Sequence, residues 1–180
     1  MKFSDPESNI KQMHIAEGMT VADFGCGVGF HSLALAKHVG PKGKIYAIDI
    51  QPEHLSKLKA EAAHRGLKNI EIIHGDLEAP AGSGLLKASV DRVIVSNVLF
   101  QVDDIFLIAQ EAKRVLKSSG MVAVIDWVES FKQIGPHKDR VVNYENVRKA
   151  FEATGFEFVS RLDSGSHHYG FLFKLPHATI

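Results

Sequence analysis

VADFGCGVGFHS, Val21 to Ser32, carries the strongest structural signal in the chain. A short run of buried-strand character, Thr20 to Phe24, passes straight into Gly25, Gly27 and Gly29. A helical pattern then runs from Ser32 to Val39 and stops at Gly40-Pro41. A strand that enters glycines and leaves as a helix is the context that separates a ligand loop from a chance glycine cluster. Glycines let the backbone turn sharply and let a ligand lie against the main chain. The spacing here is GxGxG. A dinucleotide fingerprint continues to a small residue in GxGxxG, where this chain has the bulky Phe30. No Lys-Ser/Thr follows, so the loop is not a phosphate-binding P-loop.

Outward from this loop, strand and helix patterns alternate. Lys44 to Ile50 reads as a strand. Pro52 opens a helix in which Leu55, Leu58 and Ala62 share a face, and Gly66 stops it. Ile70 to His74 is a strand, Ala79 to Gly84 a loop, and Val90 to Val95 a further strand. Asp103 and Asp104 can cap the next helix, whose stripe is Ile105, Ile108, Ala109, Ala112, Val115 and Leu116, with Gly120 as its end. Met121 to Trp127 is a buried strand. Asn143 caps a helix with Val147, Ala150, Phe151 and Thr154 inward, ended by Gly155. Phe156 to Leu162 and Tyr169 to Leu175 close the chain as an antiparallel pair. The expected fold class is therefore α/β, a Rossmann-like three-layer αβα sandwich. Its seven-stranded sheet is mostly parallel, with an antiparallel final strand. Ligands of such sheets bind beyond the carboxyl ends of the strands. That rule singles out the loops after Phe24, Ile48, His74, Val95 and Trp127, and the turn from Asp163 to His168.

Composition bounds the function classes. The 180 residues carry 21 Lys+Arg and 21 Asp+Glu, with 45% hydrophobic and 23% charged residues. Balanced charge excludes a bulk basic footprint for nucleic acid, and the apolar content excludes disorder. No run approaches the ~18 apolar residues of a membrane helix, and the polar start is not a signal peptide. Cys26 is the single cysteine, so an internal disulfide is impossible and a cytoplasmic setting is expected. The expectation is one domain over residues 1–180, a monomer or homodimer. Residues 1–18 would form a cap segment with a short helix between Asp5 and His14.

Two acids extend the loop's signal. Asp49 ends the second strand, placed to accept from ribose hydroxyls, and Asp76 ends the third in the tripeptide HGD. On these residues the chain resembles the class I S-adenosylmethionine-dependent methyltransferases, over nearly its whole length. Its flavour is that of the ubiquinone/menaquinone-biosynthesis (methyltransferase type 11) group. GCGVG looks like the family's first motif and VDRVIVSNVLF its fourth, and EAKRVLKSSGMVAVIDW matches the helix and strand that follow. The resemblance implies S-adenosyl-L-methionine as cofactor. Asp49 would hold its ribose hydroxyls, and Asp76 its adenine amino group with Leu77 beside the ring. Asp23 would sense its amino group, and glycine-loop amides would meet its carboxylate. Phe24, Gly25, Cys26, Gly27, Gly29 and His31 complete the first contact set. Ile50, Gly75, Ser96, Asn97 and Val98 complete it from the later strand ends. Asn97 reads equally as a turn cap. Cys26 lacks a partner base and reads as a small packed residue rather than a nucleophile.

A small-molecule acceptor is expected beside this set. The Ser96-Asn97-Val98-Leu99 sequence departs from the Asn-Pro-Pro-aromatic motif of base-amino methylases, and no Pro-Cys is present for base C5 chemistry. Asp126, Trp127, Arg140 and Tyr169 are the expected substrate contacts. The connection from Glu129 to Val142 carries Lys132, His137, Lys138 and Arg140, which hints at an acceptor with some negative charge. His137, His167 and His168 are the candidate bases, since histidine titrates near neutrality. No metal is expected, because the histidines lack a fixed ligand spacing. His38, His54 and His64 read as surface helix positions. Competing readings are a non-catalytic cofactor-binding module and a methyltransferase acting on protein or RNA. A nucleotide-binding oxidoreductase is disfavoured by Phe30.

Overall fold

The computed structural model describes residues 4–130 and 134–176. Its helices are α1 (Pro6–Lys11), α2 (Phe30–Val39), α3 (Pro52–His64), α4 (Ile105–Val115) and α5 (Tyr144–Ala153). Its strands are β1 (Thr20–Phe24), β2 (Lys44–Asp49), β3 (Ile70–His74), β4 (Val90–Ser96), β5 (Leu116–Trp127), β6 (Glu157–Arg161) and β7 (His168–Lys174). The sheet order is β3-β2-β1-β4-β5-β7-β6. The first four pairings are parallel, while β7 runs antiparallel to both β5 and β6. β6 therefore runs with β5, and the β6–β7 turn lies on the same edge as the loops after β1 to β5. This is the expected three-layer architecture.

Alternation along the strands builds the two cores. Val21, Ile45, Ile94 and Ile125 point to one face and pack with Ile10 of α1 and with Leu35 and Val39 of α2. Ala22, Phe24, Val93, Val95 and Val124 point to the other, against Ile108 and Ala112 of α4 and Phe151 of α5. A smaller cluster of Cys26, Leu33, Ala47, Leu55, Leu58 and Ala62 seats α3.

The structure corrects several boundaries. α2 starts at Phe30, which draws His31 into its first turn. Gly120 does not end α4. The helix stops at Val115, Leu116 already pairs with Val90, and Met121 pairs with Arg92. The four residues between Leu116 and Met121 form a bulge that lets β5 regain register. Asp104 is the cap of α4, accepting the Phe106 N–H at 2.8 Å. α1 is shorter than expected but firmly held. The Gln12 amide donates to the Asp163 carbonyl at 3.1 Å and accepts the Asp163 N–H at 2.8 Å. The Arg92 guanidinium donates to the carbonyls of Met13 and His14 at 3.2 and 2.9 Å. No helix among the described residues is long and apolar enough to cross a membrane.

Candidate active site

A cleft of about 610 Å³ opens at the carboxyl ends of β1 to β4. Its floor is the glycine loop from Gly25 to Val28, and its walls come from the ends of β2, β3 and β4. Ser4 and Pro6 of the N-terminal segment close one side. Of the residues expected to hold a cofactor, Asp23, Gly25, Cys26, Gly27, His31, Asp49, Ile50, Gly75, Asp76, Leu77, Ser96, Asn97 and Val98 all line it.

Phe24 and Gly29 lie outside that lining. Phe24 is fully buried in the α4-side core. Gly29 caps α2 with φ +94°, and a Cβ there would lie 2.2 Å from Leu58 Cδ1. Its smallness serves the packing of α3 against the loop.

The loop amides also differ from expectation. Gly25 and Cys26 both donate to the Ile48 carbonyl, at 2.8 and 2.9 Å. Gly27 donates to Asp49 Oδ2 at 2.8 Å, and Gly29 to the Cys26 carbonyl at 2.9 Å. These four N–H groups fix the loop's own shape rather than waiting for a ligand carboxylate. Asp49 Oδ1 accepts the Gln51 N–H at 2.8 Å. A carboxylate has about four lone-pair sites, so two remain toward the cleft. Asp23 is 2% exposed, and Ser32 Oγ donates to it at 2.6 Å. Burial pushes its carboxyl up to about 6 against the lowering effect of Ser32. Asp76 accepts the Glu78 N–H at 3.0 Å. Glu78 in turn accepts the N–H groups of Asp103 and Asp104, both at 2.9 Å, tying the β3 loop to the start of α4. Ser96 Oγ and Asn97 Oδ1 are buried without a hydrogen-bond partner among the described residues. Asn97 holds φ +59° just beyond β4. Burial pushes the Cys26 thiol up, with Asp23 and Asp49 adding to the effect, which suits a packed thiol and not a nucleophile.

The profile of the methyltransferase domain family matches residues 15–166. Demethylmenaquinone methyltransferase of Geobacillus kaustophilus (strain HTA426) is 30% identical over 121 residues, 67% of this chain and 50% of that protein. The chain spans about half the length of the curated relatives it matches. A SAM-dependent methyltransferase from Aquifex aeolicus superposes with TM-score 0.87 at 30% identity, covering 97% of this chain and 91% of that one. An arsenic(III) S-adenosylmethionine methyltransferase from Chlamydomonas reinhardtii shares the fold, with TM-score 0.72 at 19% identity over 97% and 74% of the two chains. The chain belongs to the S-adenosyl-L-methionine-dependent methyltransferases.

The methyltransferase's cleft fits that cofactor chemically. Buried, unpartnered Ser96 and Asn97 oxygens and the spare lone pairs of Asp49 suit a ligand rich in hydroxyl and amino donors. Ile50, 56% exposed, and Leu77 offer apolar surface for a ring. The sequence reading missed Gln51, His54, Glu78, Gln101 and Val102, which also line the cleft. His54, read as a surface position, holds its Nδ1 3.8 Å from Asp49 Oδ1. It sits in the first turn of α3, where side chains lean back toward the strand end.

The other half of the edge looks different. Asp126, Trp127, His137, Arg140, His167, His168 and Tyr169 lie outside the residues lining the cleft. Asp126 accepts the Leu99 N–H and the Trp127 N–H, both at 2.8 Å, so it holds the turn after β4. Burial pushes its carboxyl up to about 6. The Trp127 ring packs on His168 with centroids 4.2 Å apart. Burial, with His167 adding, pushes His168 down to about 4. Tyr169 is buried, and burial together with Asp126 pushes its hydroxyl up. His167 Nδ1 lies 2.9 Å from Glu129 Oε1. His137 is 85% exposed and pairs with Asp139, and Arg140 is exposed in the same 3₁₀ turn. Lys132 lies outside the described residues.

Proposed function

We propose that this methyltransferase passes a methyl group from S-adenosyl-L-methionine, bound in the β1–β4 cleft, to a small-molecule acceptor. The observation that carries the reading is the convergence of Asp23, Asp49 and Asp76 with the unpartnered Ser96 and Asn97 oxygens in one cleft. When bound, the cofactor supplies a methyl already activated for displacement. Asp49 accepts from ribose hydroxyls, Asp76 from the adenine amino group, and Asp23 from the amino group of the methionine part. The protein's remaining task is to align the acceptor and exclude water, for which no general base is required unless the acceptor is protonated. Among the candidate bases, His137 and His167 each have a carboxylate partner, and His167, paired with Glu129, is the buried one of the two. Trp127, Tyr169, Asp126 and Arg140 belong to the proposed acceptor side. The demethylmenaquinone methyltransferase relatives make a quinone-like ring the first acceptor to try. A single domain acting in the cytoplasm, without nucleic acid, is part of the same proposal.

Calorimetry with S-adenosylmethionine and with NAD tests the cofactor, and S-adenosylhomocysteine release over a panel of acceptors tests turnover. Binding of S-adenosylmethionine alone with release on one acceptor is the expected result. Absence of binding at millimolar concentration sinks the reading. Replacing His137, His167 and His168 together without loss of turnover removes the base from it.

A further inference from the structure

Asn9 of α1 is completely buried, although it belongs to a helix of only six residues near the chain's start. Its carboxamide nitrogen lies 2.8 Å from Ser4 Oγ and 3.2 Å from His31 Nε2. An amide nitrogen carries two protons and no lone pair to offer, so both neighbours must accept. His31 Nε2 accepts only when it carries no proton. The ring's proton then sits on Nδ1. His31 lines the cleft, and no group among the described residues takes Nδ1.

We propose that Asn9 is a positioning residue that fixes His31 as the neutral Nδ1–H tautomer, so that an uncharged hydrogen-bond donor faces the cofactor. The proposal rests on the S-adenosylmethionine reading of the cleft. A sulfonium ligand is cationic, so an imidazolium beside it would repel it, whereas a neutral ring still donates to the ligand's carboxylate or ring oxygens. This orientation leaves Asn9 Oδ1 buried without a hydrogen-bond partner among the described residues, so the turned-over amide is the rival arrangement that the test must exclude. Burial pushes His31 down to about 4, with Asp5 at the cap of α1 the one charge acting the other way. The far end of α1 is anchored through Gln12 and Asp163, which keeps Asn9 in register with α2. Donor direction thus passes from a six-residue helix, through one buried amide, to the cleft.

The test begins with the free protein labelled with ¹⁵N-histidine. Long-range ¹H–¹⁵N correlation at neutral pH should show His31 protonated at Nδ1. Protonation at Nε2 means the Asn9 amide is turned over, and this overturns the proposal. Asn9→Asp replaces the donor with an acceptor and should move the proton to Nε2. It should weaken S-adenosylmethionine binding about tenfold by calorimetry, the size of one lost hydrogen bond. An unmoved tautomer in Asn9→Asp overturns the positioning role. A second pair of variants guards against loss of folding. The amide nitrogen of Asn overlays Nδ1, and that of Gln overlays Nε2. His31→Asn should therefore lose less affinity than His31→Gln, and equal losses reduce His31 to packing. If the wild-type protein binds no S-adenosylmethionine, the cofactor reading fails while the ring signature still decides the role of Asn9.

Discussion

Asp49 at the end of β2 and Asp126 at the end of β5 begin from the same chemistry. Both are buried carboxylates on one sheet edge, and each accepts two backbone N–H groups at 2.8 Å. Asp49 fastens the glycine loop and lines the open cleft. Asp126 fastens the turn after β4 and is enclosed, with Tyr169 beside it across the β5–β7 ladder. An acid at a strand end is therefore not in itself a ligand signal. What lies above it decides. Over β1 to β4 the chain leaves space, whereas at the ends of β5 and β7 the Trp127 ring packs against both His168 and Gly135. A Cβ at Gly135 would lie 2.8 Å from the Trp127 ring.

Four experiments test that contrast. The largest effect is expected from Trp127→Ala. Removing a buried indole costs roughly 3–5 kcal/mol of stability, read by urea unfolding, while S-adenosylmethionine affinity of the folded fraction stays within about threefold. A large loss of affinity at unchanged stability would move Trp127 into the cofactor site.

Next is the pH dependence of Asp126. Burial pushes its folded carboxyl up to about 6, above the ordinary unfolded value near 3.9. Between those values the folded state binds the extra proton, so stability falls as pH rises from about 4 to about 6 and is flat above. The loss attributable to Asp126 is about 3 kcal/mol. Asp23, raised to about 6 by its own burial, adds a loss of the same sign. Asp126→Asn should flatten the slope by about one group and leave the Asp23 part. Unchanged slopes would mean that Asp126 is solvated in the folded protein rather than enclosed.

Asp49→Ala should weaken S-adenosylmethionine binding about a hundredfold, close to 2.7 kcal/mol, through loss of charge-assisted hydrogen bonds. Calorimetry checks it, and unaltered affinity would erase the distinction between the two acids. The smallest effect belongs to His137→Ala. Its side chain is 85% exposed, so stability should shift by less than about 0.5 kcal/mol and cofactor affinity not at all. A strong loss of cofactor affinity would bring the exposed connection over the cleft.

Much of the fold was legible because it rests on local chemistry. Pro52 opens α3, Asn143 caps α5 by accepting the Glu145 N–H at 2.7 Å, and Gly155 follows α5 at φ +97°. Gly120 misled because the end of α4 is set by the pairing of Leu116 with Val90, a contact between residues distant in sequence. In the site, the strand-end rule brought thirteen expected residues to the cleft but also assigned it Phe24 and Gly29. A position next to a loop does not reveal whether it faces the cavity or the core. His54 was missed for the complementary reason, since a polar residue in a helix's first turn looks solvated until the neighbouring strand end is placed beside it.

The glycine loop at Val21–Ser32 remains the feature from which the rest extends. The alternation of strands and helices, the acids at the strand ends and the edge on which they gather are all readable from the residues. Periodicity, caps and glycines act over a few residues, and the strand-end rule follows from the handedness of the chain. Which polar groups of that edge stay open and which are sealed is set by long-range packing. The same packing also decided that loop amides are spent on Ile48 and Asp49, and that Asn9 reaches His31. Those outcomes depend on what packs over each group, and packing is settled among side chains far apart in the chain.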